Sequence, residues 1–222
     1  AVRETIKGRM FNAGQVCCAS KRVLVQKSIA EEYTNRLINA LKLLKVCEPH
    51  EKECDMGPLV SEQAACEVEN KVNQTIKQGA RCVFGGKRYN KTYFEPTVLK
   101  DVTADMDIAK DMEIFGPVVP IIEFEENDEA IKIANQTKYG LSGGVIGRDI
   151  KAALSTALKL ESGTTVLNGC GDYRTLYTPF GGHKMSGIGT EGLMLTLEEM
   201  MLTKCVALKG IVEESVSESV LR

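Results

Sequence analysis

The run Val118-Val119-Pro120-Ile121-Ile122 limits the folds open to this chain more than any other stretch. A strand buried on one face alternates apolar and polar residues. One that is apolar on both faces is covered on both sides, as in parallel sheets with helices above and below. The spacing elsewhere supplies those helices. Tyr33, Leu37, Leu41 and Leu44 recur at helical intervals and predict a helix over 30–44. A second helix is expected over 61–78, with Gly79 at its C-terminal cap, and Asn127 is expected to cap a third over 128–136. Further helices read over 151–160 and 196–200. Strands are expected over 22–26, 80–84, 93–99 (interrupted by Pro96), 118–124, 141–146, 164–167 and, last, 202–208. Strands alternating with helices predict an α/β fold, a mainly parallel twisted sheet with flanking helices.

Charge and cysteine usage exclude several function classes. The formal net charge of the 222 residues is −2, so no basic excess points to nucleic acid or an anionic membrane. No apolar run reaches membrane-spanning length. The eight cysteines share no repeated spacing, which reads as free thiols in a reducing cytoplasm rather than a disulfide framework. Cys47, His50 and Cys54 lack the fourth ligand of a tetrahedral set, so no metal site is expected. Residues 1–12 read as a helix already under way, with Val2, Ile6 and Met10 on one face, as in a piece of a longer polypeptide.

One segment carries chemistry. In Phe11-Asn12-Ala13-Gly14-Gln15-Val16-Cys17-Cys18-Ala19-Ser20-Lys21-Arg22, a cysteine follows a Gly-Gln turn and precedes a β-branched run. A thiol at a loop-to-strand junction can be partly exposed while its neighbours hold it still, as covalent catalysis requires. The spacing Phe-Asn-x-Gly-Gln-x-Cys-x-Ala-x-x-Arg resembles the active-site segment of the aldehyde dehydrogenase superfamily, with Cys17 in the nucleophile's place. Two more segments agree in order. Glu113-Ile114-Phe115-Gly116-Pro117 resembles the family's cofactor segment, and Pro179-Phe180-Gly181-Gly182-x-Lys184-x-Ser186-Gly187-x-Gly189 its tunnel-closing loop. Asn168 and Glu95-Pro96-Thr97 match as well, so the similarity runs from about residue 9 to 208.

The resemblance implies aldehyde oxidation through a Cys17 thiohemiacetal and thioester, with hydride passing to NAD or NADP. It implies that Glu113 holds the cofactor ribose, Phe115 walls the cofactor, and Cys18 and Phe180 line the substrate tunnel. Arg174 lies in the same loop region and is a candidate grip for an acidic substrate tail, against a surface pairing with Asp172. The branch it resembles holds succinate-semialdehyde dehydrogenases, with lactaldehyde and glyceraldehyde-3-phosphate enzymes nearby. No Gly-x-Gly-x-x-Gly follows a strand, so the chain is expected to be the catalytic part (1–200), inactive without a Rossmann-like partner domain. Residues 201–210 are expected to form an oligomerisation strand between copies of the chain, and 211–222 a polar tail. Three rival readings are a coenzyme-A-acylating enzyme, a non-catalytic interaction module and a Cys17–Cys18 redox switch.

Overall fold

The computed structural model describes residues 1–210; the expected tail lies outside them. Helix α1 (Val2–Met10) runs into a 3-10 turn (Phe11–Gly14), then the Cys17 segment and strand β1 (Val23–Gln26). Helices α2 (Lys27–Leu41) and α3 (Glu62–Lys77) precede β2 (Arg81–Phe84), the hairpin β3 (Arg88–Tyr89) and β4 (Tyr93–Phe94), β5 (Thr97–Val102) and β6 (Val118–Phe124). After these come α4 (Asn127–Asn135), β7 (Tyr139–Gly140), β8 (Ser142–Val145), α5 (Ile150–Lys159) and β9 (Thr164–Leu167). The short strands β10 (Phe180–Gly181), β11 (His183–Lys184) and β12 (Thr190–Glu191) lead to α6 (Leu193–Glu199). Among the described residues, no helix is long and apolar enough to cross a membrane.

The main sheet has the order β1-β6-β5-β2. β1 and β5 both run parallel to β6, and β2 is antiparallel at the edge. As its sequence requires, β6 is central: Val118, Val119, Ile121 and Ile122 are almost wholly buried. Each such side chain contributes about 1.5–3 kcal/mol by leaving water. Pro120 sits mid-strand without an N–H to donate, and it pairs with Leu99 just where β5 loses register and Asp101 takes φ +58°. The bulge is how a central strand accommodates a proline. β8 and β9 pair parallel as a separate two-stranded sheet.

Local chemistry explains where the helices lie. Ser61 accepts the Ala64 N–H at 3.1 Å and starts α3, whose Ala65, Val68, Val72 and Thr75 form its buried stripe. Gly79, at φ +117°, ends it. α2 buries Ala30, Tyr33, Leu37 and Leu41. Met10 is buried, and Val2 and Ile6 pack against the same core.

Two expectations fail. Asn127 is not the cap of α4: Glu126 takes that position without a side-chain bond, and Asn127 is the first helical residue. The turn is closed by Glu129, whose carboxylate accepts the Glu125 N–H at 2.9 Å. Residues 202–208 form no strand. Strand formation depends on a partner edge, and among the described residues none pairs with them.

Candidate active site

The polar residues of the Cys17 segment act first as bolts. Arg9, fully buried in the last turn of α1, donates through Nε to the Val118 carbonyl and through Nη2 to the Ile114 carbonyl, both at 2.6 Å. Burial lowers its pKa to about 10, against the opposing pull of Glu113, and its Nη1 finds no partner among the described residues. Asn12, Ala13 and Gly14 then adopt left-handed φ values of 51°, 53° and 74° and reverse the chain. At Gly14 a Cβ would come within 2.3 Å of the Gly116 carbonyl oxygen. The Cys17 turn therefore lies backbone to backbone against the Glu113–Pro117 segment.

Gln15 locks that turn. Its Nε2 donates to the Asn12 carbonyl at 2.9 Å, and its Oε1 accepts the Val60 N–H at 2.8 Å. Downstream, Arg22 donates to the carbonyls of Ala109, Ile133 and Ala134, at 2.9–3.1 Å. Ser20 donates its N–H to the Gly8 carbonyl. Between these anchors Cys17 is exposed and Cys18 half-buried. Burial, then the neighbouring Cys17 charge, pushes the Cys18 thiol up. The described cysteines are all free.

Lys21 ties this turn to the cofactor-like segment. Its ammonium lies 2.9 Å from Glu113 Oε1, donates to the Val16 carbonyl at 2.9 Å and stands 4.4 Å from the centre of the Phe115 ring. Burial first, and the Arg9 charge second, lower its pKa, while Glu113 raises it. Glu113 keeps about half of its side chain exposed, at 51%. Cys17, Glu113 and Phe115, distant in sequence, thus belong to one assembly with Lys21 at its centre.

Arg174 and Phe180 form a second group. The Arg174 guanidinium stacks 4.5 Å from the Phe180 ring centre, and its Nη2 donates to Glu191 at 3.1 Å. It does not pair with Asp172. That carboxylate instead accepts the Cys170 thiol at 2.6 Å and lies 3.7 Å from Lys7. Burial, then Asp172, pushes the Cys170 thiol up to about 12. Asn168 also works structurally, its Oδ1 accepting the Gly147 N–H at 3.0 Å. The Arg174 loop reaches the Cys17 turn through Gly171, where a Cβ would lie 3.3 Å from the Cys18 carbonyl oxygen. An open cleft of about 730 Å³ lies between residues 174–176 and Leu193, Thr196 and Leu197 of α6, away from Cys17. Among the described residues, no group of three or more His, Cys, Asp or Glu is arranged to hold a metal.

Sequence reasoning missed Lys21 and Arg9. Consecutive cations ahead of an apolar strand, as at Lys21-Arg22, were the available signal, since cations entering a core need acceptors.

The sequence model of the aldehyde dehydrogenase family matches residues 1–206. The lactaldehyde dehydrogenase of Methanococcus maripaludis is 38% identical over 211 residues, covering 95% of this chain and 45% of that protein. The NADP complex of glyceraldehyde-3-phosphate dehydrogenase GapN from Methanocaldococcus jannaschii superposes with a TM-score of 0.85 at 40% identity, over 90% of this chain and 43% of that one. Succinate-semialdehyde dehydrogenase from Burkholderia pseudomallei gives 0.85 at 35% identity, over 89% and 41%. The chain spans less than half the length of these relatives.

Proposed function

Because the chain belongs to the aldehyde dehydrogenase family, we propose that it is the thiol-bearing part of an enzyme that oxidises an aldehyde to its carboxylic acid with NAD or NADP. The observation that carries this reading is an exposed Cys17 on a locked turn, linked through Lys21 to Glu113 and Phe115. The Cys17 thiolate attacks the aldehyde carbon; a C–S bond forms and the carbonyl π pair moves to oxygen. The Cys17 N–H, with a side-chain amide, receives that oxyanion. When bound, the nicotinamide cofactor supplies the acceptor for the hydride that the substrate carbon gives up. Cys17 then carries the acyl group as a thioester, and water activated by a carboxylate base releases the acid and frees the thiol.

Glu113 and Phe115 fit such a cofactor. One Glu113 oxygen rests on Lys21, leaving the other to accept from ribose hydroxyls, and Phe115 presents an exposed ring beside it. Aldehyde-dependent NADH and NADPH formation by the full-length protein that contains this chain, with Cys17 replaced as a control, tests the reading.

The substrate class rests on Arg174. Its guanidinium is 43% exposed, and its Glu191 contact leaves further donors for a carboxylate or phosphate. A small acidic semialdehyde, succinate semialdehyde first, suits that grip. Arg174→Ala is expected to raise KM for succinate semialdehyde about tenfold, the value of one charge-assisted hydrogen bond. KM for a neutral aldehyde should stay where it was. Equal KM changes for both would remove Arg174 from the substrate site.

Residues 202–208 are proposed to complete a strand only on the sheet of a second copy of the chain. Leu202, Val206 and Leu208 are each more than two-thirds exposed, a pattern that a partner edge would cover. Size-exclusion chromatography should give a multimer whose association weakens when residues from 202 onward are removed. A strictly monomeric full-length protein would count against this.

A further inference from the structure

We propose that Lys21 is a positioning residue for aldehyde oxidation, holding and polarising the peptide group whose N–H faces the substrate oxyanion. The inference rests on the oxidation reading of Cys17 given above. The Val16 carbonyl and the Cys17 N–H belong to one trans peptide, planar, with the two groups pointing in opposite directions. Whatever fixes the carbonyl therefore aims the N–H. Two donors fix it: the Lys21 ammonium at 2.9 Å and the Ala19 N–H at 3.1 Å. Among the described residues, the Cys17 N–H donates to no protein acceptor, which leaves it free for substrate.

The charge on Lys21 matters as well as its position. A charge-assisted hydrogen bond is roughly twice as strong as a neutral one. An ammonium on a peptide oxygen withdraws electron density through the amide and makes the N–H at its other end a stronger donor. The pull is greatest when the carbonyl π pair of the substrate has moved to oxygen and that N–H meets a full negative charge. Lys21 then favours the transition state over bound aldehyde, the condition for raising kcat.

An exposed lysine could not do this, because its ammonium would wander. Lys21 is held: its side chain is only 22% exposed, with Glu113 on one side, the Phe115 ring on another and the Arg22 anchors next in sequence. The same ammonium touches the carboxylate proposed to bind the cofactor ribose. Lys21 is the direct link between the oxyanion donor and that carboxylate.

The test uses Lys21→Met and Lys21→Gln in the full-length protein, each checked for an unchanged melting temperature. Two rates are compared: kcat for aldehyde oxidation, and alkylation of Cys17 by iodoacetamide. Alkylation needs the thiolate but develops no oxyanion. Lys21→Met should lower kcat about tenfold or more, part of the 10²–10³ lost when a whole oxyanion donor is removed. KM for the aldehyde and the alkylation rate should stay within about twofold, the latter because Lys21 holds the peptide rather than activating the thiol. Lys21→Gln, still a neutral donor, should fall between parent and Met variant, and it carries the test if the Met variant does not fold. An unchanged kcat in the variants would overturn the assignment. So would turnover and alkylation falling together, which would place the effect on the thiol. A parent that is alkylated at Cys17 but oxidises no aldehyde would instead defeat the oxidation reading, and Lys21 with it.

Discussion

Exchanging Cys17 for Ser is expected to cut aldehyde-dependent NAD(P)H formation by the full-length protein at least ~10³-fold, as removal of a covalent nucleophile does. The melting temperature should hardly move, because the thiol is exposed and its exchange leaves no cavity. A serine hydroxyl ionises far above neutral pH, whereas a cysteine is already a few per cent thiolate there. Cys18 is a poor stand-in. It is half-buried, and burial together with the Cys17 charge raises its pKa, so Cys18→Ser should leave most activity in place. Steady-state rates of the two variants, with thermal melting, decide the matter. Full activity in Cys17→Ser would end its claim to be the nucleophile.

Gly14→Ala should produce the largest structural effect of any single methyl group in the site. The residue holds φ +74°, and the added Cβ would meet two backbone oxygens, that of Gly116 at 2.3 Å and that of Arg9 at 3.0 Å. Neither is the loose end of a flexible side chain, so the turn itself has to move. The backbone strain and the overlap together should cost more than ~2 kcal/mol of unfolding free energy. Cys17, three residues on, would leave its place, and a displacement of about 1 Å at a reacting group costs on the order of 10²-fold in rate. Denaturant unfolding and kcat measured on one preparation would show both losses. Parental stability in the variant would mean that the turn relaxes freely and does not hold the thiol.

The fold was legible wherever period and burial coincide. The run from Val118 to Ile122 demanded a covered central strand and occupies one, and the stripes of α2 and α3 lie where Leu37 and Val72 put them. Residues 202–208 form no strand within one chain, because a strand is a property of two stretches of backbone and the sequence names only one of them. In the site, Cys17, Glu113 and Phe115 could be named from their motifs, but not what joins them. The motifs give Arg9 and Lys21 no role. Their roles rest on two carbonyls far along the chain for Arg9, and on the near Val16 carbonyl and the distant Glu113 carboxylate for Lys21. Arg174 shows the converse: Asp172 was its neighbour in sequence, yet Glu191 and Phe180 are its partners in space.

The contact between Gly14 and Gly116, with Arg9 spanning Ile114 and Val118, has a consequence for chimeras. At Gly14 and Gly116 the two segments, residues 9–17 and 113–118, meet through main-chain atoms, which no choice of side chain can trim, and the Arg9 side chain bonds main-chain carbonyls of the second segment. They form a single mechanical block that happens to be encoded in two places. Recombination between relatives that imports one segment without the other joins surfaces shaped on different templates. Crossover points that keep both segments from the same parent leave the block whole, and with it the seat of the thiol.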